Sequence, residues 1–147
     1  MTYKEITQDL FESDSNTYLA HCISADFALG AGIAKAFNAK GVKDALERDY
    51  HVHWLGKGFA LYTPLDGYLG VYNLVTKQYC YRKPTYKTLT EALTDMRDKL
   101  PNDCNLNMPC IGSGLDGLNW TAVSAIIRQV FEHTDVNITI CRLPERS

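Results

Sequence analysis

Leu106-Asn107-Met108-Pro109-Cys110-Ile111-Gly112-Ser113-Gly114-Leu115-Asp116-Gly117 is the stretch on which the fold turns. Its first three residues read as a short strand. The nine that follow are loop, with three glycines between 112 and 117. Beyond them Ala122, Val123, Ile126, Ile127, Val130 and Phe131 recur at the spacing of an amphipathic helix. Strand, glycine loop and helix in succession are the unit of an α/β protein, in which ligands gather at the loops beyond the carboxyl ends of the strands.

The same unit occurs upstream. Thr17-Tyr18-Leu19-Ala20-His21-Cys22-Ile23 reads as a buried strand bounded by Asn16 and Ser24. Leu29-Gly30-Ala31-Gly32-Ile33-Ala34-Lys35-Ala36-Phe37 is a glycine turn opening into a helix, and a second helical piece covers Val42–Asp49. Tyr3-Lys4-Glu5-Ile6-Thr7 alternates as a strand does, and 136–141 supplies another. Phe59-Ala60-Leu61-Tyr62 and Tyr68-Leu69-Gly70-Val71-Tyr72-Asn73-Leu74-Val75 flank Thr63-Pro64-Leu65-Asp66-Gly67, which predicts a β-hairpin with Asp66-Gly67 at its tip. Leu89, Ala92, Leu93 and Met96 mark a helix over 88–100 that Pro101 stops. Strands interleaved with helices, plus one hairpin, predict a mixed sheet with helices on both faces.

A chain of 147 residues can bury roughly two-thirds of its unfolded surface as one domain and is too short for two. Apolar residues at 46% and charged residues at 22% exclude a disordered chain. A formal charge of -2 excludes a protein that coats nucleic acid non-specifically, though not a local basic patch. The opening residues show no basic start followed by an apolar stretch, and no run of about 18 apolar residues suggests a membrane span. The five cysteines (Cys22, Cys80, Cys104, Cys110 and Cys141) form no CxxC pair, which fits reduced thiols. The expectation is a cytoplasmic, monomeric protein, nuclear as an alternative in a eukaryote, without a membrane partner.

The glycine segments carry the chemistry. A glycine turn lets backbone approach a ligand, and the first turn of the following helix offers free N–H groups to a phosphate. Two such loops could grip a diphosphate from both sides. Each also has a plain structural reading: Gly30-Ala31-Gly32 as a packing feature, and 112–117 as a tight left-handed turn with Asp116 capping the next helix. Neither loop is a Walker A sequence or a G-x-G-x-x-G fingerprint.

Five segments in order resemble the macrodomain family: His21-Cys22-Ile23-Ser24, Gly30-Ala31-Gly32-Ile33-Ala34, Thr76-Lys77, Lys83-Pro84-Thr85-Tyr86 and Met108-Pro109-Cys110-Ile111-Gly112-Ser113-Gly114-Leu115-Asp116. More narrowly they resemble the terminal ADP-ribose protein glycohydrolase subclass, from about Tyr3 to Cys141. The resemblance implies a single macrodomain over residues 1–147, a three-layer α/β/α sandwich with a mixed central sheet. Asp9 would accept from the adenine amino group, and the backbone of Leu10 would complete adenine recognition. Gly30, Gly32 and Ile33 would face the diphosphate and distal ribose, with Ile111, Gly112, Ser113, Gly114 and Leu115 on the other side. Ser24 would lie near the distal ribose. His21, Thr76 and Pro109 fall in the matching segments and count as ligand-binding positions.

By the same resemblance Lys77 would attack the anomeric carbon and Asp116 would serve as acid/base. The implied activity is removal of ADP-ribose from a protein carboxylate or a nucleic acid, with no metal or redox cofactor. The alternatives are a non-catalytic ADP-ribose reader and a hydrolase of small ADP-ribose derivatives. Two departures stand out. Gln8 precedes Asp9 where the subclass has glycine, and the Asn-Ala-Ala-Asn segment of other macrodomains is replaced by His21-Cys22-Ile23-Ser24.

Lys77, Arg82, Lys83 and Lys87 interleave with Tyr79, Tyr81 and Tyr86, either a surface for a nucleic-acid strand or a solvated loop with half-buried tyrosines. His51-Val52-His53 has no cysteine partner nearby in sequence and no clustered ligand set, so no metal site is assigned. Cys110 reads as a small apolar residue. Trp120 reads as packing, and Trp54 as packing or a loop anchor.

Overall fold

A computed structural model describes residues 1–50 and 56–143, so His51-Val52-His53 and Trp54 lie outside the described residues. The strands are β1 (Thr2–Thr7), β2 (Thr17–Ser24), β3 (Phe59–Thr63), β4 (Gly70–Lys77), β5 (Asn105–Met108) and β6 (Asn137–Arg142). The helices are α1 (Gly32–Ala39), α2 (Val42–Asp49), α3 (Tyr86–Lys99) and α4 (Trp120–Phe131). Single 3-10 turns lie at Leu10–Glu12 and Gly114–Asp116. The six strands form one sheet in the order β1-β6-β5-β2-β4-β3, all neighbours parallel except the β3–β4 hairpin.

Most elements fall where the sequence places them. α3 starts two residues earlier than periodicity suggests, because Thr85 caps it: the Thr85 hydroxyl accepts from the Thr88 N–H, and the Thr88 hydroxyl accepts from the Thr85 N–H. α4 is capped by Asn119, whose side chain accepts from the Ala122 N–H at 3.2 Å. The capping reading of Asp116 is therefore overturned, and that carboxylate is left for the loop. The turn Leu10–Glu12 carries no helical periodicity in the sequence; Asp9 builds it by accepting from the Phe11 N–H at 2.9 Å.

Period-two alternation sorts the strand side chains onto two faces. Ala20, Tyr72, Leu74, Leu106, Met108, Ile138 and Ile140 meet Leu89, Leu93 and Met96 of α3 and Val123, Ile127 and Phe131 of α4. On the other face Leu19, Ile23, Leu61, Val71 and Val75 meet Phe37 of α1 and Val42 and Leu46 of α2. Each large side chain fully withdrawn from water contributes about 1.5–3 kcal/mol.

The second helical layer is incomplete. It covers β2, β4 and β3, whereas beside it Lys4, Asn105, Asn107, Asn137 and Thr139 line a polar groove of about 260 Å³. Asn137 donates to Asn105 at 3.3 Å and accepts from Thr2 at 2.9 Å, so these groups are paired across strands without a covering helix. The sandwich is thus complete over the half of the sheet that contains β2 and β4, whose ends carry Ser24 and Lys77.

Candidate active site

The two central parallel strands set the site. β2 and β4 end side by side, with Ser24 paired to Lys77 across a register shift after Ile23, and the Ala25 N–H donates to the Lys77 carbonyl at 2.9 Å. β5 ends next to β2 and releases the loop 109–117. Between these strand ends opens a cavity of about 320 Å³, within the usual size of a small-molecule site.

One wall is the segment 28–34. Phe27 and Leu29 hold left-handed backbone angles, φ 54° and 43°, and each is pinned by a side chain almost wholly buried. This bend swings Gly30 and Gly32 to the cavity and aims the start of α1 at it. Ala31, at the N-cap, has no side-chain acceptor for the first-turn N–H groups, so these and the positive end of the helix are available to an anion.

The opposite wall is the loop after β5. Gly112 has φ 71°, and a Cβ there would stand 3.1 Å from Leu118, so conformation and space both require glycine. Leu115, 71% exposed, reaches to 3.8 Å from where a Gly32 Cβ would be, so the two glycine segments face each other across the cleft. Lys83, on the chain after β4, also lines the cavity, and its Nζ donates to the Leu115 carbonyl at 2.5 Å.

Inside the cleft, Lys77 Nζ lies 2.9 Å from Asp116 Oδ1, with the two side chains 16% and 18% exposed. Ser24 sits beside them and is 4% exposed. Cys22 also lines the cavity, but burial, with the nearby Asp116 carboxylate adding, pushes its thiol up to about 12 and keeps it un-ionised. Burial likewise raises Cys110. Neither is a ready nucleophile.

Of the expected site residues, the cavity gathers Ser24, Gly30, Gly32, Ile33, Lys77, Pro109, Ile111, Gly112, Ser113, Leu115 and Asp116. Gly114 belongs to the same loop but does not line the wall. His21 does not reach it: the ring is fully buried, stacks on Phe37 at 3.9 Å and bonds through Nε2 to Asn73 Oδ1 at 2.6 Å. Burial lowers its pKa to about 4, so it is a neutral core residue near pH 7. Thr76 is buried in β4, and Leu10 is in the core. Asp9 is spent in part on its own turn and stands outside the cavity wall. Sequence reading missed Asp26, which ties the loops after β2 and β4 together, and Cys80, which lines the cavity mouth.

Of the basic and aromatic residues from the end of β4 onward, Lys77 and Lys83 line the cavity. Tyr79 and Tyr81 stack at 5.4 Å, Arg82 lies over the Tyr81 ring, and Tyr81 is 71% exposed. Among the described residues no His, Cys, Asp or Glu cluster could hold a metal ion.

No protein-family model matches the chain. Comparison of structures defines the class: this is the macrodomain fold. The macrodomain of Mycobacterium tuberculosis DarG has a TM-score of 0.79 at 19% identity, over 98% of this chain and 99% of that one. Thermosipho africanus DarTG, solved in complex with ADP-ribose, has a TM-score of 0.75 at 19% identity, over 99% of this chain and 43% of that one. In sequence, ADP-ribose glycohydrolase OARD1 of Homo sapiens is 42% identical over 139 residues, 92% of this chain and 88% of the relative. The chain belongs to the ADP-ribose glycohydrolase OARD1 family.

Proposed function

We propose that this chain releases ADP-ribose from a modified protein carboxylate or nucleic acid through a covalent bond to Lys77. The observation that carries the reading is the Lys77–Asp116 pair, 2.9 Å apart between two backbone cradles. The segments at 30–33 and 111–115 suit the diphosphate, and Ser24 and Lys77 suit the distal ribose. Asp9 and the backbone of Leu10, outside the cavity wall, remain proposed for the adenine.

An ammonium cannot attack, so Lys77 first passes a proton to Asp116. The freed amine forms a bond to the anomeric carbon while the bond from that carbon to the modified group breaks. Asp116 returns its proton to the leaving atom. The ribose ring then opens as one N–H proton passes to the ring oxygen, leaving an iminium between Lys77 and the open sugar. Water adds to that carbon, the carbon–nitrogen bond breaks, and ADP-ribose leaves with Lys77 protonated again. No metal or redox group enters this sequence. A cytoplasmic location belongs to the same proposal, supported by five free cysteines, and so does a monomeric state.

The test is release of free ADP-ribose from a glutamate-ADP-ribosylated protein and from an ADP-ribosylated DNA oligonucleotide. Wild type is expected to release it from at least one, and Lys77→Ala from neither. Binding without release by wild type would turn the reading to a non-catalytic module.

A further inference from the structure

Asp26 stands behind the cavity wall, where it collects three donors. Ser24 Oγ donates to its Oδ1 at 2.5 Å, the Ala28 N–H to the same oxygen at 3.2 Å, and the Cys80 N–H to Oδ2 at 2.9 Å. One carboxylate thus joins the end of β2, the bend leading to the first glycine turn and the segment that follows Lys77. Burial pushes its pKa up, but the Ser24 hydroxyl and the Cys80 and Ala28 amides outweigh burial and hold it below the usual carboxylate range.

The consequence lies in the direction of one proton. A serine hydroxyl has a single hydrogen to give and two lone pairs to offer. Ser24 gives its hydrogen to Asp26, so towards the cavity it presents lone pairs only. A phosphate oxygen is itself an acceptor and finds no partner in Ser24. A sugar hydroxyl does. The glycine walls have the opposite polarity, since their exposed backbone N–H groups are donors. The cavity is therefore polar in a directional sense, with donors along the glycine segments and an acceptor beside Lys77.

We infer that Asp26 is a positioning residue that fixes Ser24 as a hydrogen-bond acceptor for a ligand hydroxyl at the end of the cavity beside Lys77. The inference rests on the reading of this cavity as an ADP-ribose site. It gives the substrate a direction: the hydroxyl next to the reacting carbon bonds to Ser24, and the diphosphate is kept to the glycine walls. In Asp26→Asn a single amide oxygen replaces the two that accept from Ser24 and Ala28 on one side and Cys80 on the other, so Ser24 is no longer held with its hydrogen turned to residue 26.

The experiment is calorimetric binding of ADP-ribose and of ADP, which lacks the distal ribose, to wild type, Ser24→Ala, Asp26→Asn and the double variant. Asp26→Asn is expected to weaken ADP-ribose about tenfold, the worth of a hydrogen bond to a charge-supported group, and to leave ADP unchanged. The double variant should bind ADP-ribose no more weakly than Ser24→Ala, because Asp26 acts through that hydroxyl. A probe that needs no change at Asp26 is ADP-ribose lacking the distal-ribose hydroxyl next to the anomeric carbon. Wild type should bind it about tenfold more weakly than ADP-ribose, and Ser24→Ala should bind the two alike. Equal losses for ADP and ADP-ribose in Asp26→Asn, additive losses in the double variant, or indifference of wild type to the missing hydroxyl would each overturn the inference while leaving the ADP-ribose reading intact. Wild type that binds neither ADP-ribose nor ADP would overturn both.

Discussion

On one side of the cavity the chain after β5 bends at Gly112, Gly114 and Gly117, with φ of 71°, 70° and 77°. On the other, the chain after β2 bends at Phe27 and Leu29, where no glycine stands. The first bend closes on itself, by the Leu118 N–H on the Gly112 carbonyl and the Gly117 N–H on the Gly114 carbonyl, with Lys83 and Lys77 added from outside. The second is held from afar, by two side chains sunk in the core and by Asp26 reaching Cys80 on another strand's exit. Two walls with the same proposed task therefore depend on different physics. One is permitted by the residues that form it, and the other is imposed by the core beneath it.

The comparison can be broken first at Phe27. Phe27→Ala removes a fully buried anchor and is expected to cost about 3–5 kcal/mol in denaturant unfolding. A loss near zero would mean that the bend holds itself. The same side should also be the pH-sensitive one, because His21 stacks under α1. Its folded pKa, lowered to about 4 from 6.5, means that below pH 6.5 the unfolded chain binds a proton the folded chain refuses. Stability should then fall as pH drops from about 6.5 to about 4, by on the order of 3 kcal/mol, and His21→Gln should flatten that slope. An unchanged slope in the variant would assign the loss to other groups.

Smaller effects sharpen the other wall. Gly112→Ala combines a left-handed backbone with the contact to Leu118 and should cost about 2 kcal/mol. Gly114→Ala keeps the backbone strain but meets open space, and should cost about 1 kcal/mol. Equal melting points for the two variants would contradict the close approach at Gly112.

This contrast also explains what could be read from the sequence. The loop after β5 was legible because its glycines sit at the residues that need them, and the hairpin was legible from Asp66-Gly67 between apolar runs. The bend at Phe27 and Leu29 gave no such sign, since its cause is burial. Asp26 was invisible for a related reason: its partner Cys80 lies 54 residues away. His21 was placed among the ligand-binding positions by its segment, yet alternation with Leu19 and Ile23 puts it on the face under α1. The alternation of Asn105 and Asn107 with Leu106 and Met108, and of Asn137 and Thr139 with Ile138 and Ile140, likewise carried the uncovered half of the sheet.

The most direct measurement of the central claim is covalent trapping at Lys77. The protein would be mixed with an ADP-ribosylated substrate in the presence of a mild hydride reductant, digested and weighed by mass spectrometry. The account predicts an ADP-ribose adduct on the peptide that contains Lys77, and no adduct or turnover in Lys77→Ala. Turnover that persists in Lys77→Ala, or trapping on a different residue, would contradict it.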